Sequence, residues 1–163
     1  MTANPSHIAR ASESVTLVLP YPISANRYWR PVKLGSHISI VPTKEAKAYK
    51  AAVAVLSKAA GAKPIAGRVS LQIKLYPGRP QDWAKRAQKD PDNWDDTVRS
   101  IDIDNALKVL LDALKDVAFG DDSWVRSLHA ERCVPDDKGA RVVVTVTAQE
   151  REVIAPDMFR GAA

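Results

Sequence analysis

Two aspartates stand directly before a regular apolar pattern, and this combination strongly constrains how the chain can fold. Asp102 and Asp104 are two residues apart. Four leucines follow at the spacing of one helix face, at Leu107, Leu110, Leu111 and Leu114. The pattern predicts a core helix from about Ile103 to Val117, with Asp102 at or just before its N-cap and Asp104 in its first turn.

Runs rich in β-branched or alternating residues predict the sheet on which this helix packs. We expect strands at Val15–Leu19, His37–Val41, Val69–Leu75, Trp124–Val134 and Ala140–Thr147. Pro135–Gly139 separates the last two runs as a turn would, so we expect those two strands to pair as a hairpin. Thr43 is expected to cap a second helix over Lys44–Ala60.

A chain of 163 residues is long enough for one buried core and suits one domain. We expect an α+β fold: a single two-layer domain with a small mixed or mainly antiparallel sheet of about four to five strands and two main helices. The folded domain is expected over 15–149, between a flexible lead-in over 1–14 and a tail over 150–163. Residues 81–99 are polar and charged, with Trp83 and Trp94 as the only large apolar groups, and we expect a mobile loop or a small excursion near the active site.

Three features narrow the class of protein. No apolar run approaches the roughly 20 residues that cross a bilayer, so we expect no membrane partner. The first residues lack the apolar segment of a secretory signal. Cys133 is the only cysteine, which excludes an internal disulfide and a thiol-based metal site. A cytoplasmic setting is therefore expected.

Charge is distributed unevenly along the chain. Residues 1–81 carry 12 basic and 2 acidic residues, whereas 82–122 carry 6 basic and 11 acidic ones. A basic flank beside an acidic centre is expected of a metal nuclease, because cations hold the DNA backbone and aspartates hold the metal. The alternative is a solvated basic face without a partner.

The segment Ser24–Arg30 interleaves two arginines with two aromatic residues, Tyr28 and Trp29. Aromatic rings can stack on bases while arginines pair with phosphates. The alternative is that both rings cap the edge of the core. We therefore expect a loop here that either contacts DNA or packs on the domain.

The aspartates suggest hydrolysis of a phosphodiester. A second acidic pair, Asp121 and Asp122, follows the core helix, and gathered carboxylates repel unless a cation or proton lies between them. Mg²⁺ is usually held by one or two carboxylates with water and phosphate oxygens. Lys108 lies on the Asp104 face, either as an ion pair or as a cation for the scissile phosphate. The alternative is that the aspartates only cap a helix and form a turn.

Three ordered motifs resemble the RusA family of Holliday junction resolvases, found in bacteria and their phages. The first is the proline-rich start over 19–28, the second is Asp102-Ile103-Asp104-Asn105 with Lys108, and the third is Gly120-Asp121-Asp122. The resemblance extends from Val15 to about Gln149. Residues 81–99 are longer than in the shortest members, and the arginine run before the first aspartate is reduced to Arg99.

The resemblance implies a Mg²⁺-dependent endodeoxyribonuclease that resolves four-way DNA junctions by paired symmetric cuts in recombination and repair, as a homodimer, with Mn²⁺ able to replace Mg²⁺. Asp102, Asp104 and Asp122 would be the catalytic metal-binding residues, with Asp121 as an alternative third ligand and Lys108 as the essential lysine. We expect capping to hold the aspartates in place. Expected DNA contacts are Asn26, Arg27, Tyr28, Arg30, Lys33 and Arg99. The alternative is a non-enzymatic, structure-selective DNA-binding protein.

Overall fold

The computed structural model describes residues 13–150. The expected tail over 150–163 lies almost entirely outside this range, as does most of the expected lead-in over 1–14. None of the helices within 13–150 is long and apolar enough to cross a membrane.

Within residues 13–150, six strands form two sheets. They are β1 (Ser14–Pro20), β2 (Trp29–Leu34), β3 (His37–Pro42), β4 (Val69–Tyr76), β5 (Val125–Arg132) and β6 (Arg141–Ala148). The larger sheet has the order β1-β6-β4-β5, and β2 pairs only with β3. In the larger sheet β5 runs parallel to β4, whereas the other pairs are antiparallel. The prediction of a small mixed or mainly antiparallel sheet of about four to five strands is therefore confirmed, with four strands in the larger sheet.

Three α-helices complete the described part of the fold: α1 (Lys44–Ala59), α2 (Trp83–Lys89) and α3 (Ile103–Leu114). The Thr43 hydroxyl accepts a hydrogen bond from the Ala46 amide at 3.2 Å, which confirms the predicted cap of α1. α1 packs on β1 and on α3, and α3 also reaches β5. The two longer helices thus form the second layer of the predicted α+β domain.

Alternating strand residues supply one side of the core. Leu17, Ile73 and Val144 are fully buried, and α3 adds Leu110 from the other layer. Every second residue of a strand points to the same face, so one sheet face is apolar while the other carries mostly polar groups. Burial of this face fixes the register of the sheet and the position of α3 on it.

The predicted hairpin between the last two strands is wrong. β4 lies between β5 and β6 and pairs with both. The segment from β4 to β5 contains α3, and such a crossover is what two parallel neighbours require. β6 lies inside the sheet, between β1 and β4, and its Val142, Val144 and Val146 are all fully buried. The connection over 133–140 therefore passes across β4. Two hydrogen bonds of 2.6 and 2.7 Å join Arg141 to Asp136 there.

The segment before β2 also differs from expectation, whereas residues 81–99 take one of the two forms expected of them. The sequence predicted a loop up to Arg30, but β2 starts at Trp29 and forms a hairpin with β3 around Gly35, whose φ is +60°. Residues 81–99 form the small excursion rather than an unstructured loop. Arg86 ties its two ends by bonding the Asp82 carboxylate at 2.9 Å and the Thr97 carbonyl at 3.0 Å.

Candidate active site

The first aspartate stands at the N-terminal end of α3. Asp102 occupies the N-cap position, but its side chain makes no capping hydrogen bond. The expectation that capping holds this carboxylate is therefore wrong. Its backbone carbonyl still accepts the first helical bond, from the Ala106 amide at 3.0 Å. The exposed carboxylate is thus not used by the helix and can bind an external ligand.

Asp104 in the first turn of α3 and Lys108 one turn further along both face solvent. The Lys108 ammonium lies 3.8 Å from the Asp104 carboxylate, and the two side chains are 69% and 71% exposed. An exposed pair at this distance contributes little to stability, typically below about 1 kcal/mol. Both groups can therefore turn to an incoming ligand at little cost, so the ion pair and the phosphate-binding role remain compatible.

The second acidic pair follows α3 and is held differently. Asp121 accepts bonds from the Lys115 ammonium at 2.8 Å and the Ser123 amide at 3.0 Å. The Lys115 contact, followed by the Ser123 bonds, holds the pKa of the Asp121 carboxyl far below its usual range. Asp122 is exposed and begins a 3-10 turn that leads into β5. Asp122 is therefore better exposed to a ligand than Asp121.

α3 separates the two acidic motifs. At the start of the helix, Arg132 at the end of β5 donates to the Ile101 carbonyl at 3.1 Å. At its other end, Lys115 holds Asp121, just before β5 begins. A helix of twelve residues is roughly 18 Å long. Asp102 and Asp104 therefore lie at one end of α3 and the second pair at the other.

The three expected ligands do not meet within one chain. Among residues 13–150, no three acidic, histidine or cysteine side chains lie close enough together to hold a metal ion. Asp102 and Asp104 still offer hard carboxylate oxygens at one place, and magnesium is usually bound by one or two carboxylates together with phosphate oxygens. The donor chemistry at the start of α3 therefore fits Mg²⁺.

Tyr28 belongs to the core, and its expected contact with DNA is wrong. Its ring is buried, which leaves no free face for a base, and its hydroxyl donates to the Asp112 carboxylate on α3. Burial and this hydrogen bond raise the pKa of Tyr28. The neighbouring Trp29 is exposed. The alternative in which a ring caps the edge of the core therefore holds for Tyr28 and fails for Trp29.

Asp112 is a residue that sequence reasoning missed. Lys50 of α1 pairs with it at 3.1 Å, in addition to the Tyr28 bond. Burial alone would raise the pKa of Asp112, but the bonds from Tyr28 and Lys50 outweigh it and lower the pKa. The available signal was an acidic residue four positions after Lys108, within the otherwise apolar second half of the helix.

The remaining residues expected to contact DNA are exposed. Arg27 pairs with Glu45 at 2.8 Å, and together with Arg30 it lines an open cleft of about 330 Å³. Arg30 and Lys33 lie on β2, and Asn26 is exposed just before it. Arg99 lines a separate cleft of about 530 Å³ beside the segment that leads into α3. The structure thus distributes these groups over two clefts and one hairpin.

The start of the β2–β3 hairpin meets α3 beside Lys108. Trp29 and Lys108 line one small cleft of about 180 Å³, together with Tyr28 and Asp112. Free carboxylates and a lysine at a helix start, beside exposed arginines and an aromatic ring, are the groups expected of an enzyme that hydrolyses a nucleic-acid backbone. The fold and the site therefore define a small nuclease-type domain.

Comparison with known families identifies the family to which this nuclease-type domain belongs. A family model described as Endodeoxyribonuclease RusA matches residues 20–147. The match covers most of the chain, and the protein therefore belongs to the RusA endodeoxyribonuclease family. A search of curated proteins gave no match.

Proposed function

We propose that the protein is a Mg²⁺-dependent endodeoxyribonuclease that resolves four-way DNA junctions by paired, symmetric hydrolysis of phosphodiester bonds, in DNA recombination and repair. The observation that carries this proposal is the exposed set of Asp102, Asp104 and Lys108 at one end of α3, in a chain that matches the family over 20–147. The protein would act in the cytoplasm and be bacterial or phage-encoded.

Asp102 and Asp104 are the residues that would hold Mg²⁺, or Mn²⁺ in its place. When bound, the metal lowers the pKa of a water and offsets charge on the attacking and leaving oxygens. Lys108 leaves its loose pairing with Asp104 and donates to a phosphate oxygen, where it stabilises the charge that develops during the reaction. The free backbone amides at the start of α3 also favour an anionic phosphate. The products are a 5′-phosphate and a 3′-hydroxyl.

Asp122 joins this set through a second copy of the chain. The two acidic motifs lie at opposite ends of α3. In a two-fold homodimer, each contact between two different surface positions occurs twice. A two-fold axis perpendicular to α3 would place the start of one helix beside the end of the other. Each of two sites would then combine Asp102, Asp104 and Lys108 of one subunit with Asp122 of its partner.

The junction is held by the exposed cations around these sites. Arg27, Arg30 and Lys33 lie on or just before β2, and Arg99 precedes α3. Asn26 can donate its side-chain amide to a phosphate or a base. Phosphate contacts of this kind position the backbone for cutting without reading its sequence.

A comparison of three synthetic DNAs tests the proposal. A four-way junction, a duplex of the same arm sequence and a flap are each incubated with the protein in Mg²⁺. We expect cutting of the junction and little or none of the other two. Tight junction binding without any cutting would instead support the non-enzymatic, structure-selective DNA-binding protein.

A further inference from the structure

The hairpin formed by β2 and β3 presents an apolar row to solvent. Directly paired residues point to the same face, so Trp29, Pro31, Ile38 and Ile40 share one side of the hairpin. Trp29 is 55% exposed, Ile38 75% and Ile40 70%. A two-stranded hairpin with an uncovered apolar face is at best marginally stable alone, and an apolar patch of this kind usually marks a surface that binds something.

The root of this hairpin is fixed next to the candidate active site. The Thr43 amide donates to the Tyr28 carbonyl at 2.8 Å, and the Thr43 hydroxyl donates to the Arg27 carbonyl at 2.9 Å. Trp29, at the start of the apolar row, lines the same small cleft as Lys108. A ligand lying along the row would therefore reach Lys108 at its inner end.

The charge of the hairpin indicates which ligand this is. Residues 29–42 contain Arg30 and Lys33 and no aspartate or glutamate. Lys33 lies opposite Ile38, so a cation stands at the outer end of the apolar row. A surface that is both apolar and purely cationic suits a polyanion with exposed apolar faces. Unpaired or unstacked bases of branched DNA, with their phosphates, have this chemistry.

We propose that the β2–β3 hairpin is a base-contacting wedge, in which Trp29, Ile38 and Ile40 hold nucleotides at the branch point of the DNA unstacked. This inference rests on the proposed function, because it assigns to the hairpin the branched centre of the same substrate. With the bases held on the apolar row, Lys33, which lies on the same face of the hairpin, contacts a flanking phosphate. The wedge thereby positions the backbone next to Lys108.

The test measures unstacking directly. A four-way junction carries 2-aminopurine, whose fluorescence rises when the base unstacks, at the branch point. It is mixed with Asp104→Asn protein, which is expected to bind without cutting. We expect a fluorescence rise, and we expect the added double change I38T/I40T to remove most of it and to weaken junction binding by about tenfold. Threonine keeps the β-branched side chain, so the strand is retained.

Val18→Thr is the matched control. Val18 is also an exposed β-branched residue on a strand, with 61% of it accessible, but it lies on β1. V18T should leave both the fluorescence rise and the affinity unchanged. Circular dichroism checks that each variant is folded.

Three outcomes overturn the wedge. In the first, I38T/I40T gives the same fluorescence rise as the protein that keeps both isoleucines. In the second, I38T/I40T converts a dimer into monomers in analytical ultracentrifugation, which assigns the apolar row to a second copy of the chain. In the third, the unsubstituted chain neither binds nor cuts the junction, and then the proposed function fails as well. Normal cutting by I38T/I40T in a chain that keeps Asp104, together with an unchanged fluorescence rise in the Asp104→Asn background, refutes the wedge alone.

Discussion

The Tyr28 hydroxyl donates a hydrogen bond to the Asp112 carboxylate and so joins the segment before β2 to the last turn of α3. Lys50 reaches the same carboxylate from α1, at 3.1 Å. Three elements that are distant in sequence therefore meet at one acidic group. This contact sets the position of the hairpin root relative to Lys108, and it links the first sequence motif to the second.

Removing the Tyr28 hydroxyl should lower the stability of the fold. Tyr28→Phe leaves Asp112 with one partner fewer in a partly buried place, and we expect a loss of about 1–2 kcal/mol in the free energy of unfolding. Urea denaturation measures this. Tyr21→Phe is the control, because the buried Tyr21 hydroxyl has no hydrogen-bond partner within residues 13–150. Equal losses in the two variants would refute the role of the Asp112 bond.

Neutralising Asp104 should separate cutting from binding. In Asp104→Asn the charged metal ligand is lost, so we expect junction cutting to fall by at least about a hundredfold. Binding should be retained or tightened, because a negative charge near the phosphates is removed. Stability should change by less than about 0.5 kcal/mol at this exposed position. Gel assays of cutting and binding are compared with Asp137→Asn, an exposed control in the 133–140 connection. Loss of binding together with cutting would contradict this role.

Lys108 should act on rate rather than on affinity. Lys108→Met removes the cation but keeps a long helix-forming side chain. We expect the cutting rate at saturating protein to fall by about a hundredfold or more, while junction affinity falls only by the small amount expected of one lost phosphate contact. Single-turnover kinetics separates the two quantities. An unchanged rate would show that Lys108 is only the ion-pair partner of Asp104.

Two inactive variants should restore activity when mixed. If each site combines two subunits, a dimer of Asp104→Asn and Asp122→Asn chains carries one doubly altered site and one intact site. After the chains exchange, we expect nicking at about a quarter of the unsubstituted level, since half of the dimers are mixed and each has one working site. A mixture of Asp102→Asn and Asp104→Asn should stay inactive. No recovery in the first mixture would refute the shared site.

Asp136 should make the fold sensitive to acid. The hydrogen bonds from Arg141 lower the pKa of the Asp136 carboxyl to about 2. Its folded pKa lies below the unfolded value near 3.9, so this contribution is full above that value and is lost as pH falls towards 2. Denaturation midpoints between pH 7 and pH 2 test this. The difference in denaturation midpoint between the unsubstituted protein and Asp136→Asn should disappear over this pH range. A difference that stays constant would contradict the assignment.

The sequence predicted the features that depend on local pattern. The helical spacing of the leucines located α3, and Thr43 marked the start of α1, because both signals lie within a few residues of the element. The position of Asp102 at the start of α3 was predicted, but the sequence did not reveal that its carboxylate makes no capping bond. That outcome depends on the side-chain rotamer, which the residue type alone does not determine.

The pairing of strands that are distant in the sequence was predicted less well. β5 and β6 are separated by a turn-like segment, so a hairpin was the natural expectation, yet β4 inserts between them because α3 carries the chain across to a parallel neighbour. The large distance between Asp102 and Asp122 could have been predicted from the sequence, because the helix between them implies a distance near the length of that helix. Matching motifs by their order along the chain does not take this distance into account.

The most direct measurement of the proposed function maps the cuts on a four-way junction whose strands are labelled one at a time. The protein is incubated with this junction in Mg²⁺ or with a chelator, and the products are separated on a denaturing gel. We predict cuts in two opposite strands at positions symmetric about the branch point, in Mg²⁺ and not in chelator. A junction that stays intact in Mg²⁺ at every salt concentration, or is cut equally in chelator, would contradict the proposed function.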